Sequence, residues 1–309
     1  MSLKKTWDQL KTLGLGKHIE EEEDVNVDLN QLNNYFTNLG GQLNNQTRQQ
    51  TMTNIQLTAP NHNFQTFKFQ TITEQCTWEA LSQVTTKATG VDNISITYIH
   101  QMKDTLVTLL TDIFNESLQT GQFPTLWKDS FVRALPKTKP ATDLTHFRPI
   151  NITTVLSKGL ERIVLEQMMA YLTHHDLLDI LQSGFKPKHS TTTALLKITE
   201  DIRNAMEETK VTVMTLLDLS AAFNSVDINI LTTKLKYEFN FSDEAVTWFH
   251  SYLTNRRQQL KTKAGQLDWT TLDRSVPPST VIGSMLFLLY IQAMSKVMHL
   301  YLTQTKHKQ

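Results

Sequence analysis

One acidic residue, Asp218, stands at the end of an apolar and β-branched run, Val211 to Leu217. The run predicts a buried strand, which would carry the carboxylate to the edge of a sheet. A carboxylate so placed is typical of nucleotidyl transfer, in which two metal ions roughly 3.5–4 Å apart clamp the attacking and leaving oxygens. Because Mg²⁺ prefers near-octahedral oxygen coordination, one side chain cannot hold two ions, and this chemistry needs several carboxylates.

Further carboxylates for such a site are not evident in the sequence. After Asp273, neither Asp nor Glu follows as far as Gln309. We expect Asp227, nine residues beyond Asp218, to point away from the cleft, and we interpret Asp273 as a turn residue. The sequence therefore predicts one metal-binding carboxylate where the reaction requires more.

Composition indicates a globular protein without a strong overall attraction to polyanions. The 309 residues are 39% hydrophobic and 19% charged, as in folded domains. Lys plus Arg and Asp plus Glu balance at 30 each, so affinity for nucleic acid has to come from local patches. Cys76 is the single cysteine, which excludes an intrachain disulfide. With no signal peptide and no apolar run of roughly 20 residues, we expect an intracellular protein, cytoplasmic or nuclear, without a membrane span.

The elements that must position Asp218 are helices and short strands in irregular alternation. Helical periodicity and stop signals predict helices over about 155–172 and 190–206, one that opens at Ser242, and one that ends before Gly121. The predicted strands are 127–135, 210–217, 258–263 and 269–275. This order favours an α+β fold over a regular doubly wound sheet.

Seven short motifs follow one another between residues 67 and 301. They are Gly90-Val-Asp-Asn-Ile94; Gly121-Gln-Phe-Pro124 with Trp127-Lys128; Leu135-Pro-Lys137; Phe147-Arg-Pro-Ile150 with Leu156-Ser-Lys158 and Glu161-Arg162; Gln182-Ser-Gly-Phe185 with His189-Ser-Thr191; Leu217-Asp-Leu-Ser-Ala-Ala-Phe223; and Ser275-Val-Pro277 with Val281-Ile-Gly283. In this order they resemble the reverse transcriptases of non-LTR (LINE-type) retrotransposons, which are RNA-directed DNA polymerases. Each motif alone is weak, and the specificity lies in their succession.

The resemblance implies reverse-transcriptase-like fingers and an incomplete palm with no thumb, within an α+β fold. We expect residues 1–66 to be a weakly ordered leader or linker, residues 67–301 to form the fingers and partial palm, and residues 302–309 to be a tail. An RNA template and a DNA primer are the implied partners, and Mg²⁺ is the implied cofactor.

Roles for the motif around Asp218 also come from the resemblance. Asp218 matches the catalytic, metal-binding aspartate, and Phe223 matches the aromatic gate that rejects a 2′-hydroxyl on the incoming sugar. Four residues between them would let main-chain N–H groups approach a triphosphate: Leu219, Ser220, Ala221 and Ala222. From the residues alone, a turn-capping Asp218 and a core-filling Phe223 are equally good interpretations.

Two basic groups match positions that contact nucleotide or nucleic acid in the family. Lys137 and Arg148 resemble the fingers residues that reach the triphosphate. Similarity places a second group near the template or primer backbone: Arg256, Arg257, Lys261 and Lys263. Ordinary surface charge is the alternative interpretation of both groups.

The sequence departs from the family where the second metal-binding element belongs. The aromatic-x-Asp-Asp hairpin is replaced by residues 298–305, in which Tyr301 keeps the aromatic and both carboxylates are absent. Pro278 and Ser279 stand where the family has Gln and Gly, which exchanges an amide and a flexible backbone for stiffer residues. We therefore expect little or no polymerase activity. Two alternatives stay open. The first is a remnant without catalysis that binds nucleic acid, or that binds a protein partner at the exposed palm edge. The second is a chain that does not fold stably.

Overall fold

Helices precede, interrupt and follow a small sheet in the computed structural model, which confirms the predicted α+β class. The structure describes residues 27–40, 43–60, 62–86, 88–186, 188–219, 221–262, 265–272, 276–277 and 279–292. The predicted tail and the hairpin replacement, residues 298–305, therefore lie outside the described residues. So do Ser220, Lys263, Asp273 and Pro278.

Most helices begin where the sequence supplies a capping side chain. Ser242, for example, accepts the backbone N–H of Ala245 at 3.3 Å, and Thr154 accepts that of Ser157 at 3.1 Å. The helices are α1 Leu29–Thr37, α2 Asn45–Leu57, α3 Glu74–Ser82, α4 Ile96–Gln101, α5 Lys103–Thr120, α6 Val155–His174, α7 Thr191–Glu207, α8 Ile228–Tyr237 and α9 Asp243–Leu253. Residues 283–292 form a further helix, α10.

The sheet is built from strands that are far apart in sequence. Its strands are β1 Ser130–Pro136, β2 Phe147–Ile152, β3 Arg256–Thr262, β4 Gly265–Gln266 and β5 Thr270–Leu272. β1 pairs antiparallel with β2, so that Leu135 faces Arg148, and parallel with β3, so that Val132 faces Leu260. β4 and β5 pair antiparallel with β3.

The main hydrophobic core lies among the helices and is rich in aromatic rings. Trp248 and Tyr252 of α9 stack with ring planes 2° apart, and the Trp248 indole N–H donates to Ser117 Oγ of α5 at 3.0 Å. Gly159 lets α6 approach α3 closely, since a Cβ there would lie 2.6 Å from Leu81 Cδ2. Packing of this kind fixes the helices that carry the site.

The helices α1 and α2 lie within the segment that the sequence suggested to be a weakly ordered leader. Leu32 and Phe36 of α1 are buried against one face of the sheet, with Val132, Phe147 and Leu260. Arg48 of α2 pairs with Asp227 at 2.5 Å. A Cβ on Gly40 would lie 1.9 Å from the carbonyl oxygen of Asn224, so the chain between these helices passes close to the 221–226 turn. The domain boundaries themselves stay a prediction.

The strand predicted over 210–217 was wrong. These residues form neither helix nor strand, and their apolar side chains face solvent, with Val211 91% and Leu216 82% exposed. A β-branched run becomes a strand only beside a neighbour that takes its hydrogen bonds and one of its faces. No described strand lies beside this run.

Candidate nucleic-acid and nucleotide site

The segment that carries Asp218 ends in a tight turn that presents Phe223. Ala221 has a φ of 50°, in the left-handed region, and its carbonyl accepts the N–H of Asn224 at 2.9 Å. The half-buried Phe223 ring packs on Phe287 of α10, with centroids 5.1 Å apart. Asp218 is exposed.

The loop of residues 276–277 and 279–282 is tied to this turn. The N–H of Val276 donates to the carbonyl of Phe223 at 3.2 Å, and Thr280 Oγ1 donates to the carbonyl of Pro277 at 2.8 Å. Ser279 has a φ of 69°, which only glycine adopts without cost. The sequence argument that this position favours glycine is therefore confirmed, and the serine is strained.

A buried carboxylate holds the other end of the same loop. Glu161 of α6 is fully buried; it accepts the Ser157 hydroxyl at 2.6 Å and the N–H of Val281 at 2.7 Å. The Tyr252 hydroxyl lies beside Glu161 and Thr280, although its geometry falls short of a hydrogen bond. Burial, with the carboxylate nearby, raises the pKa of Tyr252 well above its usual range. Sequence reasoning noted Glu161 only as part of a motif.

Both carboxylate oxygens of Asp227 are engaged by other residues. Asp227 is buried and accepts the N–H groups of Asn229 and Ile230 at 3.0 and 3.2 Å, which caps α8. The Arg48 guanidinium occupies its other oxygen. A carboxylate engaged in this way is structural.

The described residues around Asp218 do not fit Mg²⁺. A magnesium ion needs several oxygen ligands in near-octahedral geometry. Among the residues that the structure describes, no three His, Cys, Asp or Glu side chains lie together in a group that could hold a metal ion. The role of Asp218 as a metal ligand stays a prediction.

Arg256, predicted to contact nucleic acid, is buried in the structure. It is 2% exposed; Nη1 donates to the carbonyl of Tyr252 at 2.7 Å, and the guanidinium lies 4.8 Å from the centre of that ring. Lys128 is buried nearby, and burial together with Arg256 lowers its pKa. The sequence prediction for Arg256 is corrected on this point, because a side chain enclosed by the core cannot touch a phosphate backbone.

The other predicted basic residues that the structure describes share the solvent-facing side of the sheet. Residues opposite each other on paired strands project from the same face. Val132 and its partner Leu260 pack on α1. Leu135 lies three residues after Val132, so Leu135 and its partner Arg148 point to the opposite face, away from α1. This outer face carries Arg133, Lys137, Arg148, Arg257 and Lys261, all exposed.

Individual contacts show how these cations are held. Lys137 Nζ donates to the carbonyl of Thr145 at 2.8 Å. Arg257 makes two hydrogen bonds to Asp129, at 3.0 and 2.5 Å. Sequence reasoning missed Arg133 and the two aromatic residues beside these cations, Phe131 and Trp269. The sequence alone does not mark Arg133, because the face of β1 on which it lies is set by pairing with β2 and β3.

A comparison with protein families identifies the chain. The sequence model described as "Reverse transcriptase (RNA-dependent DNA polymerase)" matches residues 135–307. The chain belongs to the reverse transcriptase family. Its relatives place it among the non-LTR retrotransposon reverse transcriptases, as the motif order suggested.

Three relatives from Drosophila melanogaster show the extent of the similarity. The chain is 26% identical over 205 residues to "Probable RNA-directed DNA polymerase from transposon BS", covering 66% of this chain and 22% of the relative. It is 27% identical over 209 residues to "RNA-directed DNA polymerase from mobile element jockey", and 25% identical over 209 residues to "Probable RNA-directed DNA polymerase from transposon X-element". Each of these two alignments covers 67% of this chain and 23% of the relative. The chain thus spans less than a quarter of the length of these curated relatives.

Reverse transcriptases generally use a divalent metal, and the reverse transcriptase domain implies nucleic-acid binding. Across the described part of the chain, no helix combines the length and apolar character needed to cross a membrane.

Proposed function

We propose that this chain forms the fingers and part of the palm of a non-LTR reverse transcriptase, binds nucleic acid through the outer face of its sheet and, as it stands, does not extend a primer. The observation that carries the proposal is the charge of that face. The five strands contain no Asp or Glu. Exposed Arg and Lys side chains project from β1, β2 and β3, and the exposed Lys137 follows β1 directly.

Charge on this face supports binding to a polyanion despite the balanced composition of the whole chain. Arg133 and Arg148 lie on neighbouring strands, β1 and β2, and Arg257 and Lys261 follow on β3. These clustered positive charges create a positive potential at the outer face. Acidic residues elsewhere in the chain do not cancel it, because salt screens charges that lie more than a Debye length away.

The nucleotide-binding part of the proposal concerns the turn at Phe223. Asp218, Leu219, Ala221 and Ala222 precede the half-buried ring, and Phe287 supports it from α10. A ring fixed between a turn and a helix is suited to steric selection of the sugar. In this proposal Lys137 and Arg148 meet the triphosphate.

The absence of extension is proposed from the donor set. Asp218 is a single carboxylate where paired metal ions need several, and the sequence offers neither Asp nor Glu beyond Asp273. A protein partner at the palm edge stays a prediction.

Binding is tested by fluorescence anisotropy with a labelled RNA–DNA primer–template at several salt concentrations. We expect affinity that falls as salt rises, and an R257Q/K261Q double variant with a shallower salt dependence, by about 1 in log–log slope per lost phosphate contact. Lys197→Gln, which changes an exposed cation on α7 outside the sheet, is the matched control and should leave the slope unchanged. No binding at low salt would refute this part.

Extension is tested separately with primer–template, deoxynucleotides and Mg²⁺ or Mn²⁺. We expect no product from the wild-type chain. Robust extension that Asp218→Asn abolishes would overturn the proposal that this chain is inactive, while leaving the binding result intact.

A further inference from the structure

Two aromatic rings stand side by side on the cationic outer face of the sheet. Phe131 of β1 and Trp269, the residue before β5, are stacked with centroids 6.0 Å apart and planes 29° apart. Trp269 is 38% exposed, and Phe131 is half-buried. A partly exposed tryptophan beside a strand is unusual, because the indole buries a large apolar area when it finds a partner.

Cations lie directly against both rings. Lys261 Nζ is 4.8 Å from the centre of the Phe131 ring, and the Arg257 guanidinium is 5.3 Å from that of Trp269. β1 and β3, which bear Phe131, Arg257 and Lys261, contain no acid; the exposed Asp268 precedes Trp269 in the sequence. Asp129, just before β1, binds Arg257 and neutralises part of its charge. Lys261 has no such carboxylate partner among the contacts of the described residues, so it is the stronger candidate for a phosphate contact.

We infer that Phe131 and Trp269 form a stacking platform for an unpaired base of single-stranded RNA, with Lys261 and, more weakly, Arg257 at the neighbouring phosphates. The inference rests on the proposed function and specifies the part of the outer face that reads single strands. Cations beside an aromatic platform are the combination that single-strand binding uses, since every base has a stacking face and every linkage has a charge.

Single strands are favoured over a duplex by geometry. In a duplex, the faces of the bases are covered by their neighbours, and only an unpaired base can lay a face on a protein ring. A duplex would therefore meet the cations of the outer face and leave Trp269 without a contact. The platform predicts a difference between the two ligands that phosphate contacts alone do not produce.

The experiment compares a labelled 12-nucleotide oligouridylate with an oligonucleotide of the same length and charge in which every base is replaced by an abasic sugar. Anisotropy titrations at fixed salt use the wild-type chain, Trp269→Ala and Trp269→Phe. We expect Trp269→Ala to weaken oligouridylate binding about 5- to 150-fold, the range for one stacked base, and to leave abasic binding unchanged. Trp269→Phe should restore most of the affinity.

Lys261→Gln tests the phosphate role. It should weaken both oligonucleotides and reduce the magnitude of the salt slope by about 0.7, the value for one phosphate of a single strand. Arg257→Gln should reduce it less, because Asp129 already offsets its charge. Far-ultraviolet circular dichroism and thermal melting of each variant establish that the sheet is intact.

The outcomes separate the inference from the proposed function. If the wild-type chain binds abasic and normal oligonucleotides equally, the outer face binds nucleic acid and the platform is refuted. Equal weakening of both ligands by Trp269→Ala would also refute it, since a structural effect does not distinguish them. If the wild-type chain binds neither oligonucleotide but binds the primer–template, the inference fails and the proposed function stands; if it binds none of the three, both fail.

Discussion

Replacing Glu161 with alanine should destabilise the protein and release the loop that reaches Phe223. The carboxylate accepts two hydrogen bonds, from Ser157 Oγ at 2.6 Å and from the N–H of Val281 at 2.7 Å, at a fully buried position. Both donors would lose their partner, and a buried donor left unpaired retains the full cost of leaving water.

The magnitude follows from these two contacts. Hydrogen bonds to a charged group contribute about 1.5–3 kcal/mol each, so their sum is about 3–6 kcal/mol. Removing the carboxylate also removes the cost of burying it, which offsets part of the loss, and we expect a net decrease of about 2–4 kcal/mol in the free energy of unfolding. Glu161→Gln keeps one acceptor and the side-chain volume, so it should lose about half as much.

Urea unfolding followed by tryptophan fluorescence measures the effect, with an unchanged m-value as the check that the comparison is valid. Hydrogen exchange in peptides covering residues 276–282 should speed up in Glu161→Ala beyond the change in global stability. Glu166→Ala, on the exposed side of the same helix, is the matched control and should change stability by less than about 0.5 kcal/mol. If both variants behave alike, the tether from α6 to the loop does not contribute as argued.

Three further predictions concern the packing and titration of the helical core. Arg48→Met should lower the free energy of unfolding in urea by about 1–3 kcal/mol, because Asp227 loses its charged partner in a poorly exposed pair. Arg203→Met, on the exposed face of α7, is the control and should be nearly neutral. Equal losses in the two variants would contradict the argument. Gly159→Val should cost about 1–3 kcal/mol by overpacking against Leu81, and a thermal melt indistinguishable from wild type would show that α6 can move away. Burial raises the pKa of Tyr171 to about 12. Between about pH 10 and 12, the unfolded state therefore releases the phenol proton while the folded state keeps it. The contribution of Tyr171 to the free energy of unfolding is present below pH 10 and is lost as pH rises toward 12. Tyr171→Phe should flatten the decline in stability over that interval, and an unchanged profile would mean that another group causes it.

Helices were predictable from the sequence because their signals are local. A capping serine at 242 and a threonine at 154 precede α9 and α6, and Gly121, with a φ of 67°, ends α5. Each signal depends on residues within one turn of the helix end. The predicted bounds accordingly agree with the structure to within a few residues.

Strand 210–217 and the role of Arg256 were not predictable because both depend on distant residues. A run such as Val211 to Leu217 has the composition of a strand, but only a neighbour can make it one. Arg256 and Arg257 are adjacent in sequence, and which of them faces solvent is set by the register of β3 against β1. The outer face of the sheet, with Phe131 and Trp269, becomes visible only once that register is known.

The contacts of α1 and α2 set a limit on how far this protein can be shortened. A version that started at residue 67, where the family motifs begin, would leave Val132, Phe147 and Leu260 facing water and Asp227 without Arg48. Exposed apolar faces of sheets promote self-association. A soluble fragment for binding studies should therefore begin before Asp28, the residue that caps α1.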